Sequence, residues 1–199
     1  MKLNFAERLL VNNPARALVQ GFYEGPLLRR MGGRLDDARV LEVGCGQGVG
    51  MQILLDQLGA GQVYGIDFDP RQVRRAAQRH ACKSAVILAV ASVDRLPFPD
   101  ECFDAVLDFG VLNHVVDWQA AVAEIQRTLK PDGRFFFEEV TRAALNRCLY
   151  RTFLEHPKEN RFSEAEFVAE LGVHGIELLG RPKRILSGDI FIGMARRRG

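Results

Sequence analysis

Glu42, Gly44, Gly46 and Gly48 stand at alternate positions where the apolar run beginning at Val40 gives way to a helical pattern of Met51, Ile53, Leu54, Leu55 and Leu58. Glycines let a main chain approach a ligand closely, and the free N–H groups that open a helix offer donors and partial positive charge. The spacing decides which ligand. A dinucleotide fingerprint needs glycine at relative positions one, three and six, yet the sixth position is Val49 counted from Gly44 and Met51 counted from Gly46. A phosphate-binding P-loop needs Gly-Lys-Ser or Gly-Lys-Thr, and no lysine lies between Lys2 and Lys83. Glu42, two residues before the first glycine, repels a pyrophosphate and attracts an ammonium group. Asp67 closes a second apolar run, Val63-Tyr64-Gly65-Ile66, nineteen positions after Gly48. That is close to the spacing at which an acid on the tip of a second strand accepts both hydroxyls of a ribose, a task suited to two acceptor oxygens. Asp69, followed by Pro70, reads instead as a helix N-cap.

The segment from Val40 to Gly48 resembles motif I of the class I S-adenosylmethionine-dependent methyltransferases. The resemblance implies that Gly44, Cys45, Gly46 and Gly48 lie against the methionine part of that cofactor and that Glu42 organises its amino-acid end. It implies that Asp67 holds the ribose and that Phe68 packs on the adenine. Leu96-Pro97-Phe98-Pro99 followed by Phe103-Asp104-Ala105-Val106 is similar to the family's signature between its third and fourth strands. Ser92 stands where many relatives carry aspartate for the adenine amino group, so a neutral hydroxyl replaces a charged acceptor, while the main-chain N–H of Val93 keeps its contact. Phe109 and Gly110 fall where the family approaches cofactor and acceptor. Asp108-Phe109-Gly110-Val111 is not the Asp/Asn-Pro-Pro-Tyr/Phe quartet shared by enzymes that methylate amino groups of bases or glutamine, and a nucleic-acid substrate is not expected. The chain is similar to the type 11 group, which includes quinone-biosynthesis C-methyltransferases, and the family resemblance covers residues 38–140 and, more loosely, 160–197.

Strand and helix patterns alternate, which predicts an α/β fold. The family adds the detail: a Rossmann-like, doubly wound, mostly parallel seven-stranded sheet with a C-terminal antiparallel pair. Strands are expected near 38–43, 62–67, 85–90, 103–109 and 133–140, with helices near 46–59, 70–82 and 118–129. Asp117 caps the last helix, and Lys130-Pro131-Asp132-Gly133 ends it. Ser163 and Glu166 have the spacing of a capping box ahead of final strands near 175–186 and 189–196. Residues 1–33 read as helices broken at Asn12-Asn13-Pro14 and Gly25-Pro26; residues 141–160 read as a helix and a polar loop. Both segments fall outside the shared core. The N-terminal helices either close over the cofactor, with Tyr23 facing it, or merely cover the sheet.

At 199 residues and 47% hydrophobic content, the chain is sized for one domain: an N-terminal cap over 1–33, a cofactor-binding core over 34–140 and a substrate-side segment over 141–199. The net charge of +2 makes no demand for nucleic acid. The four cysteines have no metal or C-x-x-C spacing, no apolar run is long enough to cross a bilayer, and the N-terminus lacks a signal-peptide plan, so a cytoplasmic protein with reduced thiols is expected. No metal is expected.

Methyl transfer from a sulfonium is an in-line displacement, in which holding the acceptor and excluding water achieves much of the rate. A base is needed only for an acceptor that carries a proton. His114, after the fourth strand, is a candidate by its near-neutral titration, and Glu139 or Glu138, on opposite faces at the end of the fifth, is a second, with Thr141 nearby. S-adenosylmethionine is the expected cofactor, S-adenosylhomocysteine the product, and the partner a small, partly apolar acceptor, lipid-like or aromatic. A non-catalytic adenosylmethionine-binding module and a nucleotide-dependent oxidoreductase are the alternatives.

Overall fold

The computed structural model describes residues 13–145 and 160–199. Its sheet runs in the order β3-β2-β1-β4-β5-β8-β6, where β1 is Arg39–Val43, β2 Gln62–Asp67, β3 Val86–Val90, β4 Phe103–Phe109, β5 Leu129–Val140, β6 Ile176–Leu178, β7 Lys183–Ile185 and β8 Ile190–Arg197. Strands β1 to β5 pair in parallel, and β8 is antiparallel to β5. The order reverses between β1 and β4, and the crevice beyond the carboxyl ends of those two strands is where such sheets take ligands.

Helices cover both faces. Trp118, Val122 and Ile125 of α5 (Trp118–Thr128) and Phe167 and Leu171 of α7 (Glu164–Val173) bury one face with Phe135, Phe137 and Phe191. Leu27 and Leu28 of α2 (Gly25–Gly32), Met51 and Leu54 of α3 (Val49–Asp56) and Ala76 of α4 (Pro70–Arg79) bury the other with Val40, Phe136 and Ile192. Capping follows the side-chain chemistry. Asp69 accepts from the Arg71 N–H, Asp117 from the Ala120 N–H, and Ser163 with Glu166 forms a full capping box.

Three expectations on the elements are corrected. Gly25-Pro26 does not break the N-terminal helix: α1 (Pro14–Val19), a π-helical turn (Gln20–Glu24) and α2 run on without a gap. The wider turn sends the Gly25 N–H back five residues to the Gln20 carbonyl. The Gly21 carbonyl, five residues before the donor-less Pro26, is taken by the Gln57 side-chain amide at 2.8 Å. A Cβ on Gly25 would stand 2.5 Å from Gln57 Oε1 and 2.9 Å from Ile53 Cγ2, so glycine is what lets this helix lie against α3. The fifth strand starts at Leu129 rather than 133, because Leu129 already pairs with Phe103 and Asp132, at φ +62°, absorbs the irregularity within the strand. The segment expected near 175–186 is split into β6 and β7 by Gly180, at φ +78°, and Pro182, both short pieces lying on the outer edge of β8. Of the expected helix and loop in 141–160, α6 (Arg142–Leu145) is described; residues 146–159, and residues 1–12 of the expected N-terminal helices, lie outside the described residues.

Candidate functional site

The glycine turn between β1 and α3 carries positive φ at Gly44 (+63°), Gly46 (+51°) and Gly48 (+83°). A side chain at Gly44 would also meet Val111 Cγ2 at 2.0 Å. The turn is tied to the tip of β2: the Cys45 N–H donates to the Ile66 carbonyl at 2.8 Å, and the Gly46 N–H to Asp67 Oδ2 at 3.0 Å. Asp67 Oδ1 accepts the Asp69 N–H at 2.8 Å. Its carboxyl is thereby aimed, with one lone pair left on each oxygen for a ligand. Phe68, the next residue, is 50% exposed rather than packed in the core. Burial drives the Cys45 thiol well up, so at this position cysteine acts as a small neutral side chain.

Glu42 lies on the α3 side of β1, against the first turn of that helix. The Met51 N–H donates to its carboxyl, while Oε2 is buried without a hydrogen-bond partner. A Cβ on Gly50 would fall 2.0 Å from Glu42 Oε1, so the carboxyl occupies the space that Gly50 leaves. Burial pushes Glu42 well above the usual carboxylate range, and the nearby charges of Asp67 and Asp108 add to the rise. Three acids at the carboxyl ends of β1, β2 and β4 make the crevice anionic. A cationic group there satisfies the orphaned oxygen and lowers the mutual repulsion, whereas a pyrophosphate worsens it. The site thus fits a ligand that brings positive charge to these acids.

Two residues that the sequence did not single out brace the turn from α4. Arg79 Nε donates to the Gln47 carbonyl at 2.9 Å, and the ring of His80, 3% exposed, meets the Gly48 carbonyl through Nε2 at 2.8 Å. Burial lowers the His80 pKa, keeping the ring neutral with its proton on Nε2. His80→Phe leaves the Gly48 carbonyl without that donor and is expected to destabilise the fold by about 1–3 kcal/mol. His80→Gln, which keeps a donor, should recover much of the loss in a denaturant titration; equal losses in the two variants would remove the bond from this role.

Beyond β4, Asp108 and Glu139 sit side by side on the α5 face, both 0% exposed. Asp108 Oδ1 accepts the Val111 N–H at 2.8 Å, Glu139 Oε1 accepts the Leu112 N–H at 2.9 Å, and Glu139 Oε2 bonds the Asn113 amide. Burial pushes Asp108 up to about 6 and Glu139 well above its usual range; the bond to Glu139 holds Asp108 down, while the Asp108 charge and the same bond raise Glu139 further, so the two titrate as a pair. The pair clamps the loop that carries His114, which sits in a 3₁₀ turn (Leu112–His114). Glu139, expected as a second candidate base, is committed to that loop and shut off from solvent. A Cβ on Gly110, φ +78°, would meet nothing nearer than the Glu138 carbonyl at 3.6 Å, while half-buried Phe109 packs on the α3 side of the sheet beside Gly50. On the far side, Ser92 is half-buried with its carbonyl accepting the Arg95 N–H, and Val93 is buried.

Glu138 faces the other way. Arg16 of the N-terminal helix bonds both Glu24 and Glu138, the latter at 2.7 Å, so helix and strand end are joined by a buried cluster of two carboxyls and one guanidinium. Burial pushes Glu138 up to about 8; Arg16 pulls it down and Glu24 pushes it further up. A carboxyl raised in the folded state contributes stability that is fully present below its ordinary value near 4.3 and is lost as the pH rises through the folded value. The melting temperature is therefore expected to fall between about pH 5 and pH 9, with a shallower fall in Glu138→Gln; parallel curves would contradict the assignment. Tyr23, expected to face the cofactor, is 43% exposed on the same outward side as Leu18 and Phe22, with no hydrogen bond or ring contact to the glycine turn among the described residues. Thr141 caps α6 through its bond from the Ala144 N–H. Among the described residues no group of three or more His, Cys, Asp or Glu could hold a metal ion, and no helix is long and apolar enough to cross a membrane.

Comparison with known proteins agrees with this geometry. The family model described as a methyltransferase domain matches residues 41–137. A protein of Mycolicibacterium smegmatis, described as a probable S-adenosylmethionine-dependent methyltransferase, is 34% identical over 107 residues, 54% of this chain and 40% of that protein. The phthiotriol/phenolphthiotriol dimycocerosates methyltransferase 1 of Mycobacterium ulcerans is 28% identical over 152 residues, 76% of this chain and 55% of its own. The chain thus spans about half, or less, of the length of these curated relatives. A solved S-adenosylmethionine-dependent methyltransferase from Aquifex aeolicus superposes with a TM-score of 0.77 at 22% identity, covering 98% of this chain and 99% of that one, a likeness of fold.

Proposed function

We propose, for a chain whose residues 41–137 match the methyltransferase-domain model, that it is a class I S-adenosylmethionine-dependent methyltransferase and transfers a methyl group from S-adenosylmethionine to a small, partly apolar acceptor. The observation that carries this reading is the buried, unpartnered Oε2 of Glu42 beside a glycine turn whose other wall is Asp67. When bound, the cofactor supplies a methyl carbon already activated by its sulfonium. Glu42 would hold the ammonium, Asp67 the ribose hydroxyls, Val93 and Ser92 the adenine edge, and Phe68 its flat face. The backbone of Gly44, Cys45, Gly46 and Gly48 would lie along the methionine chain. The protein's own work is then positional: fix the acceptor in line with the methyl carbon and keep water out. For an acceptor that must lose a proton, His114 is the base, and the Asp108–Glu139 pair fixes the loop that presents it.

A lipid-like acceptor is supported by the M. ulcerans relative, named for phthiotriol and phenolphthiotriol dimycocerosates, and by Val116, 56% exposed two residues beyond His114. S-adenosylhomocysteine at 100 times its Kd is expected to stabilise the protein by about 2.7 kcal/mol, seen as a rise in melting temperature, with no such rise for NAD. A shift with NAD, or with neither ligand, would defeat the reading. Incubation with isotopically labelled methyl donor and lipid extract then identifies the acceptor.

A further inference from the structure

The N-terminal helix is apolar on the side that it should not be. Its inner side docks Leu27 and Leu28 on the sheet, yet its outer side exposes Leu18 (59%), Val19 (47%), Phe22 (81%) and Tyr23 (43%), a run at i, i+1, i+4 and i+5 that shares one helical face. A helix apolar on both sides is stable in water only if something covers the second side. Further along the same outward side come exposed Arg29 and Arg30, which with Pro26, Gln57 and Asp56 line an open cavity of about 450 Å³. Between Asn13 and Leu35 the one acid is Glu24, and it is buried against Arg16. The outer face of the helix is therefore apolar at one end and cationic at the other, and the one acid lining the cavity, exposed Asp56 of α3, is paired with Lys83 at 3.5 Å.

We propose that this face is a docking surface for an anionic membrane, with Leu18 and Phe22 entering the acyl boundary and Arg29 and Arg30 meeting lipid phosphates. That charge pattern favours a lipid surface over a protein: an interfacial helix combines apolar insertion with electrostatic attraction of its basic side chains to anionic headgroups. A tyrosine at the margin of the apolar stripe suits the headgroup level. The Arg16 link to Glu138 ties the docked helix to the end of β5, so a lipid-borne acceptor would be met beside the crevice. The surface itself does not depend on the methyltransferase reading.

Co-sedimentation with phosphatidylcholine vesicles, with and without about one third phosphatidylglycerol, tests it. The full chain is expected to bind the anionic vesicles, to bind neutral ones at least tenfold more weakly, and to lose most binding in high salt. Leu18→Ser with Phe22→Ser should lose binding to both by about tenfold or more, and Arg29→Gln with Arg30→Gln should lose the preference for anionic lipid. No binding to either vesicle, or binding unchanged in both variants, overturns the proposal. So does a concentration-dependent dimer in light scattering that Leu18→Ser with Phe22→Ser abolishes, since a second copy would then be the occupant. The rise in melting temperature with S-adenosylhomocysteine, measured on the same variants, reports folding and the cofactor site separately.

Discussion

Asp67→Ala is expected to bind S-adenosylhomocysteine about 100-fold more weakly than the unaltered chain, or worse. A hydrogen bond to a charged group contributes about 1.5–3 kcal/mol, and each 1.4 kcal/mol is a factor of ten, so losing a carboxylate that accepts from two hydroxyls reaches that range without any further effect. A further effect exists. The same carboxyl holds the Gly46 N–H at 3.0 Å and the Asp69 N–H at 2.8 Å, so its removal also loosens the turn that should lie along the methionine chain. Asp67→Asn, which keeps one acceptor oxygen, should fall between the two. Isothermal titration decides: a Kd within threefold of the parent for the alanine variant would show that the nucleoside does not rest on this strand tip.

Glu42→Gln is expected to act in opposite directions on the empty and the loaded protein. Removal of a charge that faces an ammonium should raise the Kd for S-adenosylhomocysteine by about 10- to 100-fold, since charge-assisted bonds are roughly twice as strong as neutral ones. The ligand-free variant should nevertheless melt higher, because a buried acid repelled by Asp67 and Asp108 is replaced by an amide that carries no charge. The sign with pH follows from the upward shift of Glu42: its contribution is full below the ordinary carboxylate range and is lost as the pH rises, so the advantage of glutamine should be larger at about pH 8.5 than at pH 5.5. Melting curves at both pH values and a binding titration check the pair of effects. A variant that binds as tightly as the parent would place the amino-acid end of the ligand elsewhere.

The glycine turn and the acids beside it were legible because their determinants are local. Glu42, the three glycines and Asp67 are fixed by strand ends and a turn, and strand periodicity alone orders them. The parallel core was legible for the same reason, from Arg39 to Phe109. Contacts that close across the fold were not. Arg79 and His80 sit at the end of an ordinary basic helix, and only the folded chain brings them to the carbonyls of Gln47 and Gly48. Arg127 carries no signal in the sequence, and only the folded chain brings it to the Leu-Pro-Phe-Pro loop, which it holds through the Leu96 and Phe98 carbonyls. Glu138 and Glu139 were legible as facing opposite ways, but which partners awaited them depended on Arg16 and Asn113, 122 and 26 residues distant. The continuity of the N-terminal helix through Pro26 was hidden because its missing donor is replaced by Gln57, a residue of a different helix.

The broken outer lane of the sheet bears on how this protein behaves when crowded. An edge strand with a long unbroken row of amide donors and acceptors invites a strand from another molecule to add and start an aggregate. Here the lane beside β8 is two pieces of three residues each, Ile176–Leu178 and Lys183–Ile185, separated by a kink at Gly180 and Pro182 and carrying exposed Lys183 and Arg184. A newcomer finds no continuous template on that side, and meets positive charge where it would begin to zip.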